Sequence, residues 1–203
     1  MSEAEGRAVR VWDPLIRVGH WVLVAAFATA YLSEGAPEWL HTNAGYAIAV
    51  TVALRVVWGL VGPRRARFSD FVTGPGRMIA YLKGLATGRA ERYLGHSPAG
   101  GAMTLALLLA LATTAVTGMG TLAAEEGRGP LAGVIAAAPA EGRVRYAEEE
   151  EHGEGGEAWE EIHEVAANAT LMLILLHVAG VAWASLAHRE NLVRAMLTGT
   201  KRA

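Results

Sequence analysis

The chain has 203 residues, of which 52% are hydrophobic and 19% charged; its formal net charge is −2 and it has no cysteine. That length allows one domain or two small ones. The absence of thiols excludes disulfides, thiolate metal sites, iron–sulfur clusters and CxxCH haem attachment, so any redox centre must rest on histidine or methionine.

Residues 1–14 form a short polar arm ending in VWDP, where Asp13 and Pro14 suit the cap and first turn of a helix. The apolar residues then come in blocks. A bilayer core of about 30 Å needs roughly 20 mainly apolar residues as helix. The block VGHWVLVAAFATAYL (18–32) reaches that length with Leu15 and Ile16, giving a first span over about 15–33. It starts well inside the chain and no small-residue cleavage site follows, so it does not read as a cleavable signal peptide. The connection SEGAPEWLHT carries no Lys or Arg, and NAGYAIAVTVALRVVWGLVG (43–62) gives a second span over about 42–62.

Residues 63–100 are basic, with Arg64, Arg65, Arg67, Arg77, Lys83, Arg89 and Arg92. Within them FVTGPGRMIAYLKGLATG reads as an amphipathic segment at the membrane surface, with Met78, Ile79, Tyr81 and Leu82 toward lipid. HSPAGGAM leads into a third span over about 101–124. Residues 125–160 are Glu-rich and low in complexity, expected to be mobile at least in part. A fourth span follows over about 161–188. The predicted fold is a single all-α domain, an integral membrane four-helix bundle. Excess Lys and Arg at both termini and in 63–100 puts these in the cytoplasm and the acidic connection outside, in a multi-pass protein of the bacterial inner membrane.

Seven histidines occur, at 20, 41, 96, 152, 163, 177 and 188. His96 and His152 fall in loops and His188 at the end of the fourth span. The other four lie in or beside apolar blocks, where ionisable residues are rare and usually functional. His163 and His177 are fourteen residues apart, just under four helical turns, so they share a face about 21 Å apart along the axis. With the first span running outward and the second and fourth inward, the histidines sort by depth. His41 and His163 lie near the outer surface, His20 and His177 near the inner one. Two stacked, non-covalent haems b, each iron held by two imidazoles, require this arrangement. A zinc or iron transport site would gather its ligands at one level. A histidine near a helix end can also be simply interfacial, which is the competing reading for His41 and His163.

Arg55 lies fourteen residues after His41, on the same face and at the inner level. It either pairs with a haem propionate or snorkels to the cytoplasmic headgroups. Glycines 19, 45, 118, 120 and 180 either let a flat macrocycle approach the backbone or serve helix packing. The six tryptophans mostly sit near the predicted interfaces, as aromatic belts do.

These residues resemble the bacterial cytochrome b561 and nickel–iron hydrogenase b-type cytochrome family. The resemblance rests on WDPLIRVGHW around His20, LHTNAGYAIAVTVALRVVWGLVGP around His41 and Arg55, GHSPAGGAM, and HEVAANATLMLILLHVAGVAWASLAHRENLVRAMLTGTKR. It covers residues 10–123 and 160–203. It implies a four-helix membrane cytochrome with two haems b, the pairs His20–His177 and His41–His163, and electron exchange with quinone and a partner redox protein. HSP at 96–98 departs from the His-Asn-Pro expected there.

The function these readings favour is electron transfer across the inner membrane between the quinone pool and a periplasmic redox protein such as a c-type cytochrome. The acidic connection would present a negative field to a basic partner, or else is a solvated linker. Two alternatives are a stand-alone quinone oxidoreductase taking a small reductant such as superoxide, and the haem-bearing anchor of a hydrogenase or dehydrogenase. An electron-transfer cytochrome is preferred to an enzyme in its own right. Membrane lipid is an expected partner and nucleic acid is not. His96, His188 and Asp13 are candidates for an inner quinone pocket.

Overall fold

The computed structural model describes residues 8–33, 37–135 and 148–202, with side chains throughout except at 148–154. Among these residues four helices are long and apolar enough to cross a membrane: α1 (Pro14–Leu32), α2 (Glu38–Val61), α5 (Pro98–Glu126) and the apolar part of α7 (Glu148–Ala187). Shorter elements complete the order: β1 (Ala8–Arg10), α3 (Phe68–Phe71), α4 (Pro75–Ala86), α6 (Ala132–Ile135), α8 (Leu192–Thr198) and β2 (Thr200–Arg202). The all-α membrane bundle expected from the blocks is the observed architecture.

Local chemistry sets the helix ends. Asp13 Oδ1 accepts the backbone N–H groups of Leu15 and Ile16 at 3.0 and 3.1 Å, with Pro14 in the first turn of α1. Ser97 does the same for α5, its Oγ accepting the Gly100 N–H at 3.1 Å. Serine and asparagine cap equally well, so the departure at position 97 leaves this turn intact. Gly127 closes α5 in the left-handed conformation (φ 62°). α7 begins at Glu148, well before the 161 expected from hydropathy. Glutamate is a good helix former whatever its hydropathy, so the helix continues beyond the apolar span. Of the acidic connection, residues 136–147 and the side chains of 148–154, including His152, lie outside the described residues.

The spans pack in sequence, α1 on α2, α2 on α5 and α5 on α7, and α7 lies chiefly along α5. Between the two ends of the bundle sits an apolar core of Phe27, Ile48, Val52, Leu108, Leu111 and Ala115, flanked by Leu171 and Ile174. Large apolar side chains such as Leu54, Leu60, Leu109, Leu175 and Trp183 point outward, as a lipid-facing surface requires. In lipid the association of helices depends on close packing and polar contacts. α5 supplies both: Gly101, Thr114, Ala115, Thr117, Gly120 and Ala123 are buried. The Thr114 and Thr170 hydroxyls meet at 2.9 Å across α5 and α7.

The basic end is tied together by the chain's two extremities. β1 and β2 pair antiparallel, Val9 opposite Lys201. Gly199, left-handed at φ 81°, turns α8 into β2, and its carbonyl accepts the Val11 and Trp12 N–H groups at 2.8 and 3.1 Å. The sequence reading expected only a polar arm here, because a three-residue strand has too little pattern to be read. Beneath the pair, Glu190 receives Arg92 at 3.0 Å and lies 3.7 Å from the Lys201 ammonium, which donates to the Tyr93 carbonyl. Burial pushes the Glu190 carboxyl up, but the Arg92 hydrogen bond and the Lys201 charge outweigh it and hold the group below its usual range. α4 packs on α5, which corrects one expectation. Tyr81 and Leu85 turn inward while Ile79 and Leu82 are the exposed apolar pair. Tyr81 was expected toward lipid; instead its Oη lies 3.2 Å from His188 Nε2.

Candidate functional site

The candidate site is built at two levels of the bundle. At the acidic end, His41 stands in the first turns of α2 and His163 on α7. Their ring centroids are 6.0 Å apart with the planes at 84°. His41 Nδ1 lies 2.9 Å from the carbonyl oxygen of Ala30. That carbonyl is within the last turn of α1, where carbonyls lack intrahelical partners, so the end of one helix orients the histidine of the next.

His163 is oriented by α5. Its Nδ1 lies 3.0 Å from the Thr114 carbonyl and 3.1 Å from Thr117 Oγ1. The Thr117 hydroxyl also lies 2.9 and 3.0 Å from the Thr113 and Thr114 carbonyls. Its proton goes to one of these and its lone pair faces the imidazole N–H. Gly118 makes room for the ring: a Cβ there would stand 2.8 Å from His163 Cε1 and 3.2 Å from Nδ1. With Nδ1 donating to carbonyl oxygens in both rings, Nε2 is the basic nitrogen, which is the state a metal-binding imidazole needs.

At the basic end stand His20 on α1 and His177 on α7, both half-buried. His20 packs edge-on to Trp21, with centroids 5.1 Å apart. Its Nδ1 is buried and has no hydrogen-bond partner. Arg55 lies here too. Its guanidinium carbon is 5.1 Å from the Phe68 ring centroid, and both terminal nitrogens are buried without a partner. A snorkelling arginine would carry those nitrogens out to headgroup water, and this one does not.

The remaining sequence candidates are dispersed. His96 is held between Trp12 (4.7 Å, edge-on) and Phe71 (4.2 Å). Burial, with the charges of Arg55 and Lys201 adding, pushes its pKa down to about 3. His188 bonds Tyr81 and Asp13 caps α1. Gly118 and Gly120 admit the His163 and Trp159 rings, whereas Gly45 and Gly180 have no heavy atom within 4 Å of a Cβ position. Gly19 makes an ordinary contact with Thr51. Among the described residues no three His, Asp or Glu side chains gather round one point; His41 and His163 meet as a pair. Sequence reasoning missed Thr114, Thr117 and the Ala30 carbonyl. The signal for the first two was present in TTAVTG (113–118), where Thr114, Thr117 and Gly118 share one helical face.

The donor set fits a b-type haem: His41 and His163, with ring centroids 6.0 Å apart, could supply imidazole ligands, and the buried terminal nitrogens of Arg55 would suit an anionic group of the macrocycle. No curated protein matches the chain, and no solved structure does. A family model does, that of prokaryotic cytochrome b561, over residues 11–199. The chain therefore belongs to the prokaryotic cytochrome b561 family, as a membrane-embedded b-type electron-transfer cytochrome of the bacterial inner membrane.

Proposed function

We propose that the protein holds two haems b, one between His41 and His163 at the outer level and one between His20 and His177 at the inner level. Through them it passes electrons between a periplasmic redox partner and the quinone pool. The observation that carries this reading is the His41–His163 ring pair at one end of the hydrophobic span, with His20 and His177 at the other and the apolar core around Phe27, Ile48 and Leu108 between them. When bound, each haem supplies a reversible one-electron iron couple.

The chain's own residues do the rest. The Ala30 and Thr114 carbonyls fix the outer imidazoles in one tautomer and orientation. Arg55, whose buried terminal nitrogens have no hydrogen-bond partner, would neutralise a propionate at the inner level. The core residues between the levels exclude water from the path. At the outer end Glu38 pairs with Arg128, and Glu160, Glu161 and Glu164 are exposed on α7 next to His163 in sequence. They favour a basic protein partner over an anionic small reductant such as superoxide, through encounter rate more than affinity.

A reduced-minus-oxidised spectrum with haem quantitation on the purified protein tests the reading. Two haems per chain are expected in wild type and about one in each of His20→Ala, His41→Ala, His163→Ala and His177→Ala. Depletion of the same haem by His20→Ala and His41→Ala would overturn the pairing. Electron exchange with the native periplasmic partner that is insensitive to salt would overturn the docking.

A further inference from the structure

The two levels differ in what holds their imidazoles. Both outer rings donate from Nδ1 to a backbone carbonyl, Ala30 for His41 and Thr114 for His163, and Thr117 Oγ1 adds a second acceptor to His163. At the inner level His20 Nδ1 is buried with no partner. A hydrogen bond from Nδ1–H to a carbonyl makes the imidazole a stronger donor through Nε2, which favours ferric over ferrous iron and lowers the potential.

Fixed charge acts in the same direction. Glu160 and Glu164 flank His163 in sequence, while Glu38, one turn before His41, is ion-paired with Arg128 and adds no net charge. At the other end Arg55 is a half-buried cation over the Phe68 ring, its terminal nitrogens without a hydrogen-bond partner. Negative charge stabilises the oxidised iron and positive charge the reduced one. Hydrogen bonding and charge are separate observations, and they order the two levels alike.

We infer that Thr117, with the Thr114 and Ala30 carbonyls, is a positioning device that holds the outer site at the lower potential of the two. The inference rests on the two-haem reading above. Transfer between the levels then runs downhill from outer to inner: one electron moves, the outer iron is oxidised, the inner iron is reduced, and no proton or bond changes hands. Thr117 is the adjustable member of the device, because its hydroxyl can be removed without disturbing the backbone. Thr117→Val keeps the volume and shape, and Thr117→Ser restores the hydroxyl.

The experiment is a redox titration of haem absorbance on the full chain in detergent or nanodiscs. Wild type should give two one-electron waves, and His41→Ala should lose the lower one. Thr117→Val should keep both haems and move only the lower wave upward. The loss of one neutral hydrogen bond corresponds to about two- to tenfold in the ferric-to-ferrous preference, with tenfold equal to about 59 mV for one electron. Thr117→Ser should return the wave to its wild-type position, which a simple packing role would not require. The ordering is overturned if His41→Ala removes the upper wave. The role of Thr117 is overturned if Thr117→Val leaves the lower wave in place, or moves it and serine does not restore it. Loss of the outer haem in Thr117→Val and in Thr117→Ser alike would equally overturn the tuning role in favour of a packing one. A single haem in wild type would instead sink the two-haem reading, and the ordering with it.

Discussion

Thr114 and Thr170 face each other across the α5–α7 seam, hydroxyl to hydroxyl at 2.9 Å, and Thr170 has 0% of its surface exposed. Each hydroxyl also lies within hydrogen-bond distance of its own helix's carbonyl one turn back, Ala110 for Thr114 and Ala166 for Thr170. On α7 the pair stands midway between His163 and His177, beside Leu171 and Ile174, which pack on the core.

Truncating Thr170 removes both a hydrogen bond and a fully buried methyl. In lipid such a bond contributes about 0.6 kcal/mol and at most about 1.7, and the methyl adds roughly 1 kcal/mol as a cavity. Thr170→Ala is expected to destabilise the fold by about 1–2 kcal/mol. Thr170→Val, which keeps the volume and leaves Thr114 its bond to Ala110, should cost about half as much. Thermal loss of the haem band, read on both variants, checks the order. A valine variant less stable than the alanine one would contradict it.

Gly118 is the contact on which the outer level depends. A methyl there would stand 2.8 Å from His163 Cε1, and the α5 backbone gives it little room to retreat. Gly118→Ala should turn the His163 ring away from the Thr114 carbonyl, reducing haem content toward one per chain and sparing the inner spectrum. The same change at Gly180, with no heavy atom within 4 Å, meets no protein atom. Haem content per chain measured on both variants separates crowding of the histidine from a general weakening of the bundle.

Acid sensitivity should trace in part to His96. Its pKa is pushed down to about 3 from 6.5, first by burial and then by Arg55 and Lys201. Between those values the unfolded chain binds a proton that the native state refuses. Stability contributed by this group is thus fully present above about pH 6.5 and is lost as pH falls, by up to about 1.4 kcal/mol per unit. His96→Gln should flatten the fall in melting temperature between pH 7 and 5. A variant whose pH dependence matches wild type over that window would show that His96 is not the group refusing the proton.

Much of this was legible in the sequence, for identifiable reasons. The four apolar blocks announce the bundle, because a bilayer leaves a long apolar helix as the simplest way to satisfy the backbone. Asp13 and Pro14 mark the start of α1 through chemistry local to three residues. The expectation of two histidine levels follows from helical geometry and topology, and the rings of His41 and His163 stand 6.0 Å apart. What the sequence did not disclose depends on contacts between distant segments. Nothing in α1 says that the Ala30 carbonyl will meet His41, and nothing around Tyr81 says that His188 waits more than a hundred residues on. The glycines divide in the same way. A list of five small residues is readable, but whether each faces an imidazole, an indole or open space is decided only when the helices pack.

The pairing of β1 with β2 bears on how the molecule assembles. Residues 8–10 find their hydrogen-bond partners only at 200–202, so that ladder cannot form until all four spans have been threaded and turned. Contacts of such long range are slow to close and come late. Glu190 and Lys201 are buried at the same ladder, with Arg92 at its exposed edge, and their desolvation is complete only at that point. The basic end of the bundle is thus a clasp that closes only after the four spans are in place.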